Sequence, residues 1–215
     1  MPKDLNFLIT TTFSQASCVY TLFEKTSVPI KLVSFIDKMV EFSMKKYSKL
    51  PHIDIKNGYQ FITFRTYDSV DSYILKLQNL SSRDSIKQYN IDRYLDFSKK
   101  GAYLYGEAIR IIKDIIFEYD NKLYKIIAFV IMPNHIHILL QQFQSLSKIV
   151  KTIKGKSAIL LNNKLNKNGK FWANGYYDKA IRDENHYITT LEYIVNNPIK
   201  ANLKDAKERV FTIYN

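Results

Sequence analysis

The stretch from Tyr124 to Leu140 constrains this chain more than any other. Tyr124-Lys-Ile-Ile-Ala-Phe-Val-Ile131 is almost wholly apolar, aromatic or β-branched, as a strand buried on both faces must be. Pro133-Asn134 supplies a turn signal, and His135-Ile-His-Ile-Leu-Leu140 resumes as a second strand, so the pair reads as an antiparallel hairpin. Side chains alternate along a strand, so His135 and His137 leave one face together and can meet one ion. Ile136, Ile138 and Leu140 leave the other face and read as core. The expectation is a strand with one wet, functional face and one dry face. Two half-buried sheet histidines are the plainer alternative, since ligation needs a third group. The chain has only four histidines, however, and two of them fall in this one strand.

A length of 215 residues suits one large domain, or one domain with an appendage. No apolar run approaches the length of a bilayer span, and Met1-Pro-Lys-Asp-Leu-Asn6 lacks the layout of a secretory signal, so a cytoplasmic protein is expected. A single cysteine, Cys18, excludes a disulfide framework or a cysteine metal cluster. The formal net charge of +12 points to a polyanionic partner, most simply nucleic acid. That signal is discounted, because a mixture rich in Lys, Ile, Asn and Tyr also arises from an A+T-rich genome.

Residues 1–55 read as an extension, partly helical from Ser27 to near Lys49-Leu-Pro51, in front of a main domain over 56–215. Gly58–Tyr67 is the first strand of that domain, with Tyr59, Phe61, Thr63, Arg65 and Tyr67 on one face. Arg65 among aromatics suits stacked bases and a held phosphate, or equally a cross-strand structural pair. Residues 68–100 are polar, with weak helical pieces at Val70–Leu80 and Ile91–Phe97, and carry no chemistry that the pattern reveals. Gly101–Phe117 is a sheet-packing helix, and Ser145–Leu161 is a second, with Lys148, Lys151, Lys154 and Lys156 on its other face. That basic face serves DNA backbone or is simply solvated. Asn162–Lys170 reads as a polar loop and Phe171–Arg182 as a strand. A last helix opens at Asp183-Glu-Asn-His186 and is expected to stop at Pro198. The order is the ferredoxin-like βαββαβ plan, an α+β antiparallel sheet with an added C-terminal helix and an N-terminal extension.

Tyr193 and Asn197 are four apart, which puts a phenol and an amide on one helix face. Taken alone, they are equally a core aromatic and a C-terminal cap. Met132-Pro-Asn-His-Ile-His-Ile-Leu139, Phe171-Trp172 leading to Tyr176-Tyr-Asp-Lys-Ala-Ile-Arg-Asp-Glu-Asn-His186, and Tyr193-Ile-Val-Asn-Asn-Pro-Ile-Lys-Ala-Asn-Leu203 together resemble the single-tyrosine HUH transposases, particularly the REP-associated tyrosine transposases. Phe64-Arg-Thr-Tyr67 looks like that family's first strand, and the resemblance covers roughly residues 58–204.

The resemblance implies that His135 and His137 hold a divalent ion, Mg²⁺ or Mn²⁺, that Asn197 is the third ligand, and that Tyr193 is the nucleophile. It implies cleavage and rejoining of single-stranded DNA at hairpin or repeat ends through a 5′-phosphotyrosine. Arg65, Lys148, Lys151, Lys154 and Arg182 are the expected nucleic-acid contacts, and a homodimer is compatible with the family. Tyr176, Tyr177 and Tyr187 are alternative phenols, and His186 reads as structural or surface. The competing functions are a domesticated DNA-hairpin binder that no longer cleaves, and a hydrolytic phosphoesterase. The latter would call for a second histidine motif that the chain lacks.

Overall fold

A computed structural model describes residues 55–79 and 82–214. The extension expected over 1–55, with its helix from Ser27 to near Lys49, lies outside the described residues except at Ile55. Five strands, β1 (Tyr59–Arg65), β2 (Tyr124–Ile131), β3 (His135–Gln142), β4 (Tyr177–Ala180) and β5 (Val210–Thr212), make one antiparallel sheet in the order β4-β1-β3-β2-β5. The helices are α1 (Ser72–Gln78), α2 (Asp84–Phe97), α3 (Glu107–Glu118), α4 (Leu146–Leu165), α5 (Glu184–Lys200) and α6 (Ala206–Arg209). β1 to β4 with α3 and α4 are the expected ferredoxin-like plan, and α5 is the added helix. α1 and α2 enlarge the first crossover, while α6 and β5 extend the far edge. No sequence signal announced that last pair.

The sheet has two differently used faces. Ile62, Phe64, Ile136, Ile138 and Leu140 join one apolar cluster with α3 and α4, through residues such as Ile112 and Ile153. The apolar stripes of those two helices need this surface, because nothing else of comparable size would remove them from water. In β2 the register shifts between Ile126 and Ala128, inserting Ile127 as a bulge. The extra residue lets Ile126 and Phe129 both share the core parity, whereas an unbroken alternation would set them on opposite faces. His135 and His137 point to the second face, with Phe61, Thr63 and Arg65 opposite or beside them on β1.

Several boundaries differ from expectation. The second sheet-packing helix runs through the expected polar loop to Leu165, where Asn166 at φ 49° caps it in the left-handed region. The first begins only at Glu107, because Gly101 and Gly106 both adopt positive φ and the segment between them feeds the Leu104 N–H to the Pro133 carbonyl. At Gly101 a Cβ would lie 2.3 Å from Thr66 Oγ1, so glycine is required there. The strand expected over 171–182 contracts to β4; Trp172 instead bridges Thr66 and donates its indole N–H to Ser157 Oγ at 2.9 Å.

Pro198 does not stop α5. Proline removes its own N–H bond and crowds the carbonyl one turn back, but the turn after it can still close. The next turn is held by the Ala201 N–H on the Asn197 carbonyl and the Leu203 N–H on the Pro198 carbonyl, while Pro198 itself is buried. Asn197 is therefore an interior helical residue rather than a frayed end. Among the described residues, no helix is long and apolar enough to cross a membrane.

Candidate metal centre and tyrosine site

The expected wet face is covered. His135 and His137 are both 0% exposed, with their rings 4.7 Å apart and nearly perpendicular. Phe61 stacks on His137 at 5.4 Å, and α2 and α5 bring polar side chains over the pair. The face is covered by α2 and α5, which no local alternation in β3 could announce.

Each imidazole is oriented through its Nδ1. Asn134 Nδ2 donates to the carbonyls of Leu95, Ser98 and Lys100 at 3.1, 3.0 and 3.3 Å, so its Oδ1 is the atom that faces His135 Nδ1 at 2.8 Å. An amide oxygen only accepts, so His135 carries its proton on Nδ1 and turns the Nε2 lone pair inward. Thr63 Oγ1 holds His137 Nδ1 at 2.8 Å, which leaves His137 Nε2 free to face the same space. Burial, with the Arg65 charge, pushes His135 down to about 3, and burial with His135 lowers His137 well below its ordinary value. Both rings are thus neutral at physiological pH, the state that ligates metal.

Tyr193 reaches this centre from α5. Its phenol oxygen lies 3.3 Å from His137 Nε2 and 3.4 Å from Asp92 Oδ2, and its ring sits edge-on to His137 at 5.1 Å. Burial, then the negative charges of Asp92 and Asp96, raise the phenol well above its ordinary pKa; the adjoining Asn197 amide pulls weakly the other way. Asn197, one turn on, is 2% exposed, and neither of its amide atoms has a hydrogen-bond partner. His135 Nε2 is also unpartnered: Asp96 Oδ1 is 3.6 Å away, too long for a hydrogen bond, and it too is unsatisfied. Native interiors seldom leave so many buried polar atoms idle together, so this set fits a bound cation.

The sequence reading missed Asp92 and Asp96, which α2 places over the histidines. Asp92 is buried and takes the Gln88 amide on Oδ1. Burial and Asp96 push Asp92 up to about 8, against the pull of Gln88, Arg65 and Tyr193; burial raises Asp96 to about 7, against Lys200. The available signal was the i, i+4, i+8 spacing of Gln88, Asp92 and Asp96, one polar stripe on a helix whose buried face also carries Ile91 and Leu95.

The expected nucleic-acid contacts do not converge on one surface. Arg65 is half-buried, its pKa lowered by burial despite Asp92, and lines a cleft of about 330 Å³ with Thr63, Gln88, Tyr176 and Tyr177. Lys154 donates to the carbonyls of Ala173 and Gly175 at 2.7 and 2.8 Å. Lys148 and Lys151 are exposed on α4, which covers the sheet face opposite the histidines, and Arg182 is exposed ahead of α5. Lys156 pairs with Glu118. Of the alternative phenols, Tyr187 is buried edge-on to Tyr59, while Tyr176 and Tyr177 line the cleft. His186 accepts the Arg182 backbone N–H at 3.3 Å, in keeping with a structural role.

Residues 95–197, from the end of α2 through Asn197, match the family described as "Transposase IS200 like". This segment is similar to the IS200-like transposases. It contains His135, His137, Tyr193 and Asn197 and excludes β1 and Asp92. An uncharacterized protein of Haemophilus influenzae is 30% identical over 35% of this chain and 54% of its own, so the chain spans about half the length of the curated relative it matches. Among solved structures, a REP-associated tyrosine transposase bound to a REP hairpin is 21% identical, with 72% of this chain and 74% of that one covered at a TM-score of 0.41. A candidate transposase of Deinococcus radiodurans is 16% identical, with 72% and 98% covered at a TM-score of 0.40. The matched segment thus holds both histidines, the tyrosine and the amide on one strand and one helix.

Proposed function

We propose that the chain is a divalent-metal-dependent DNA strand transferase that cleaves and rejoins single-stranded DNA at hairpin or repeat ends. The observation that carries this reading is the Tyr193 phenol 3.3 Å from His137 Nε2, beside a second neutral histidine whose Nε2 is also turned inward. The transposase family of residues 95–197 supports it. The domain from residue 56 carries the activity in this reading, and a Mg²⁺ or Mn²⁺ would be held by His135, His137 and Asn197.

The ion supplies charge neutralisation at the scissile phosphate. The chain does the rest. Tyr193 Oη forms a bond to phosphorus, the bond from phosphorus to the 3′ oxygen breaks, and a 5′-phosphotyrosine and a 3′-OH result. The phenol's proton leaves toward the Asp92 carboxylate, 3.4 Å away, and the departing 3′ oxygen takes one up. A phenol whose pKa is raised is a poor nucleophile, so attack depends on the incoming phosphate and ion offsetting the negative surroundings. Reversal by another 3′-OH rejoins strands without ATP. Arg65 at the cleft, with Arg182 near its Tyr177 edge, would hold DNA backbone, while Lys148 and Lys151 face away and Lys154 is engaged by two carbonyls. Because both histidines are fully covered, part of that cover has to move aside for DNA to enter.

Incubating labelled single-stranded hairpin oligonucleotides with the protein and Mn²⁺, then running a denaturing gel, tests the reading. A protein-linked DNA band is expected, and it should vanish in Tyr193→Phe with DNA affinity nearly unchanged. Binding without any such band, across hairpins from repeats flanking the gene, would leave the non-cleaving binder instead.

A further inference from the structure

We propose that Asp92 is an anionic ligand of the divalent ion, adding a carboxylate from α2 to a donor set that His135, His137 and Asn197 would otherwise leave neutral. The inference rests on the functional reading above and deepens it at the same site. One ligand atom from each of Asp92, His135 and His137 lies within 4.8 Å of the others, and all three residues are buried. An ion about 2.1 Å from its ligands sets neighbouring ones about 3 Å apart and opposite ones about 4.2 Å apart. The three groups therefore close on one ion with side-chain shifts of about half an ångström.

A second observation, independent of the acidic groups, points to the same place. His135 Nε2 and both amide atoms of Asn197 are buried without hydrogen-bond partners. Asp92 is oriented for the role by its neighbours. Its Oδ1 is occupied by the Gln88 amide, and its Oδ2 faces the space between Tyr193 and His137. Hard cations such as Mg²⁺ and Mn²⁺ favour carboxylate oxygen, and two imidazoles with one amide are a weak site for either. Asp92 precedes the transposase-family segment, so this ligand comes from the helix that enlarges the first crossover. Ion binding then also fastens α2 over the site.

Calorimetric titration of the metal-free full chain with Mn²⁺, read without DNA, tests the proposal. Asp92→Asn should weaken Mn²⁺ binding at least tenfold while unfolding in EDTA stays as cooperative as in the wild type, since Asn keeps an oxygen for the Gln88 amide. Mn²⁺ affinity equal to wild type in Asp92→Asn would overturn it. Should that variant fail to fold, anomalous scattering from a Mn²⁺-soaked wild-type crystal decides. A peak within about 2.5 Å of the Asp92 carboxylate supports the assignment, and a peak on the histidines with Asp92 outside the coordination sphere refutes it. These results are separate from the strand-transfer reading. Carboxylate-dependent Mn²⁺ binding without a DNA adduct would refute only the function, and an adduct with Asp92-independent binding would refute only the ligand.

Discussion

Asn134→Ala removes one side chain that serves two purposes. The Asn134 amide ties three carbonyls of the segment from Leu95 to Lys100 to the hairpin turn, and its oxygen fixes the His135 tautomer. Alanine leaves the His135 Nδ1–H unpaired in a ring that is fully buried, at a cost of about 1–3 kcal/mol. The carbonyls lose less: Leu95 keeps the Ser98 N–H, and two amide hydrogens shared among three oxygens cannot make three full bonds. The expected total is about 2–4 kcal/mol of unfolding free energy. Urea melts in EDTA read it directly. With its tautomer no longer set, His135 should also bind Mn²⁺ about 10–100-fold more weakly. Asn134→Asp separates the two purposes: it keeps an acceptor for the His135 N–H but points a carboxylate at carbonyl oxygens. It should match or exceed the stability loss of alanine while losing less Mn²⁺ affinity. An alanine variant within about 0.5 kcal/mol of wild type and with unchanged Mn²⁺ affinity would refute the assignment.

Arg209 is wholly buried, donating to the carbonyls of Leu104 and Ile131 and to Asp205, so Arg209→Ala should cost about 3–5 kcal/mol in chemical denaturation. Ser157→Ala strands the buried Trp172 indole N–H and should cost about 1–3 kcal/mol, visible as a lowered urea midpoint and altered Trp172 fluorescence. The carboxyls of Asp92 and Asp96 are raised in the fold to about 8 and about 7. Between about 4 and 6.5 the extra carboxyl protons of the folded chain are offset by the depressed His135 and His137, which the unfolded chain protonates, so metal-free stability should fall with rising pH chiefly from about 6.5 to about 8. Melts across that window in EDTA check the sign, and Asp92→Asn should flatten the slope.

Alternation fixed the common direction of His135 and His137, and the helical spacing of Tyr193 and Asn197 fixed theirs, because both follow from local backbone geometry. The apolar run of β2 and the stripes of α3 and α4 were legible for the same reason: each needs a large apolar partner, and the ferredoxin-like plan supplies it. Local rules failed where neighbours intervened, as at Pro198, whose lost bond is outweighed by the turn that follows, and at Asn134, which looked like a turn residue and proved to orient a histidine. The covering of the histidine face left only a faint mark in the sequence, the polar stripe of Gln88, Asp92 and Asp96. Its cover includes Asp92, distant in the chain and borne on a helix whose buried face mixes Gln88 and Asp92 with Ile91 and Leu95, which weakens the apolar periodicity that marks buried helices. The sequence determined which side chains share a face. Only the tertiary structure decided what lies against that face, because burial, charge and unpaired donors depend on segments that meet only when the chain has folded.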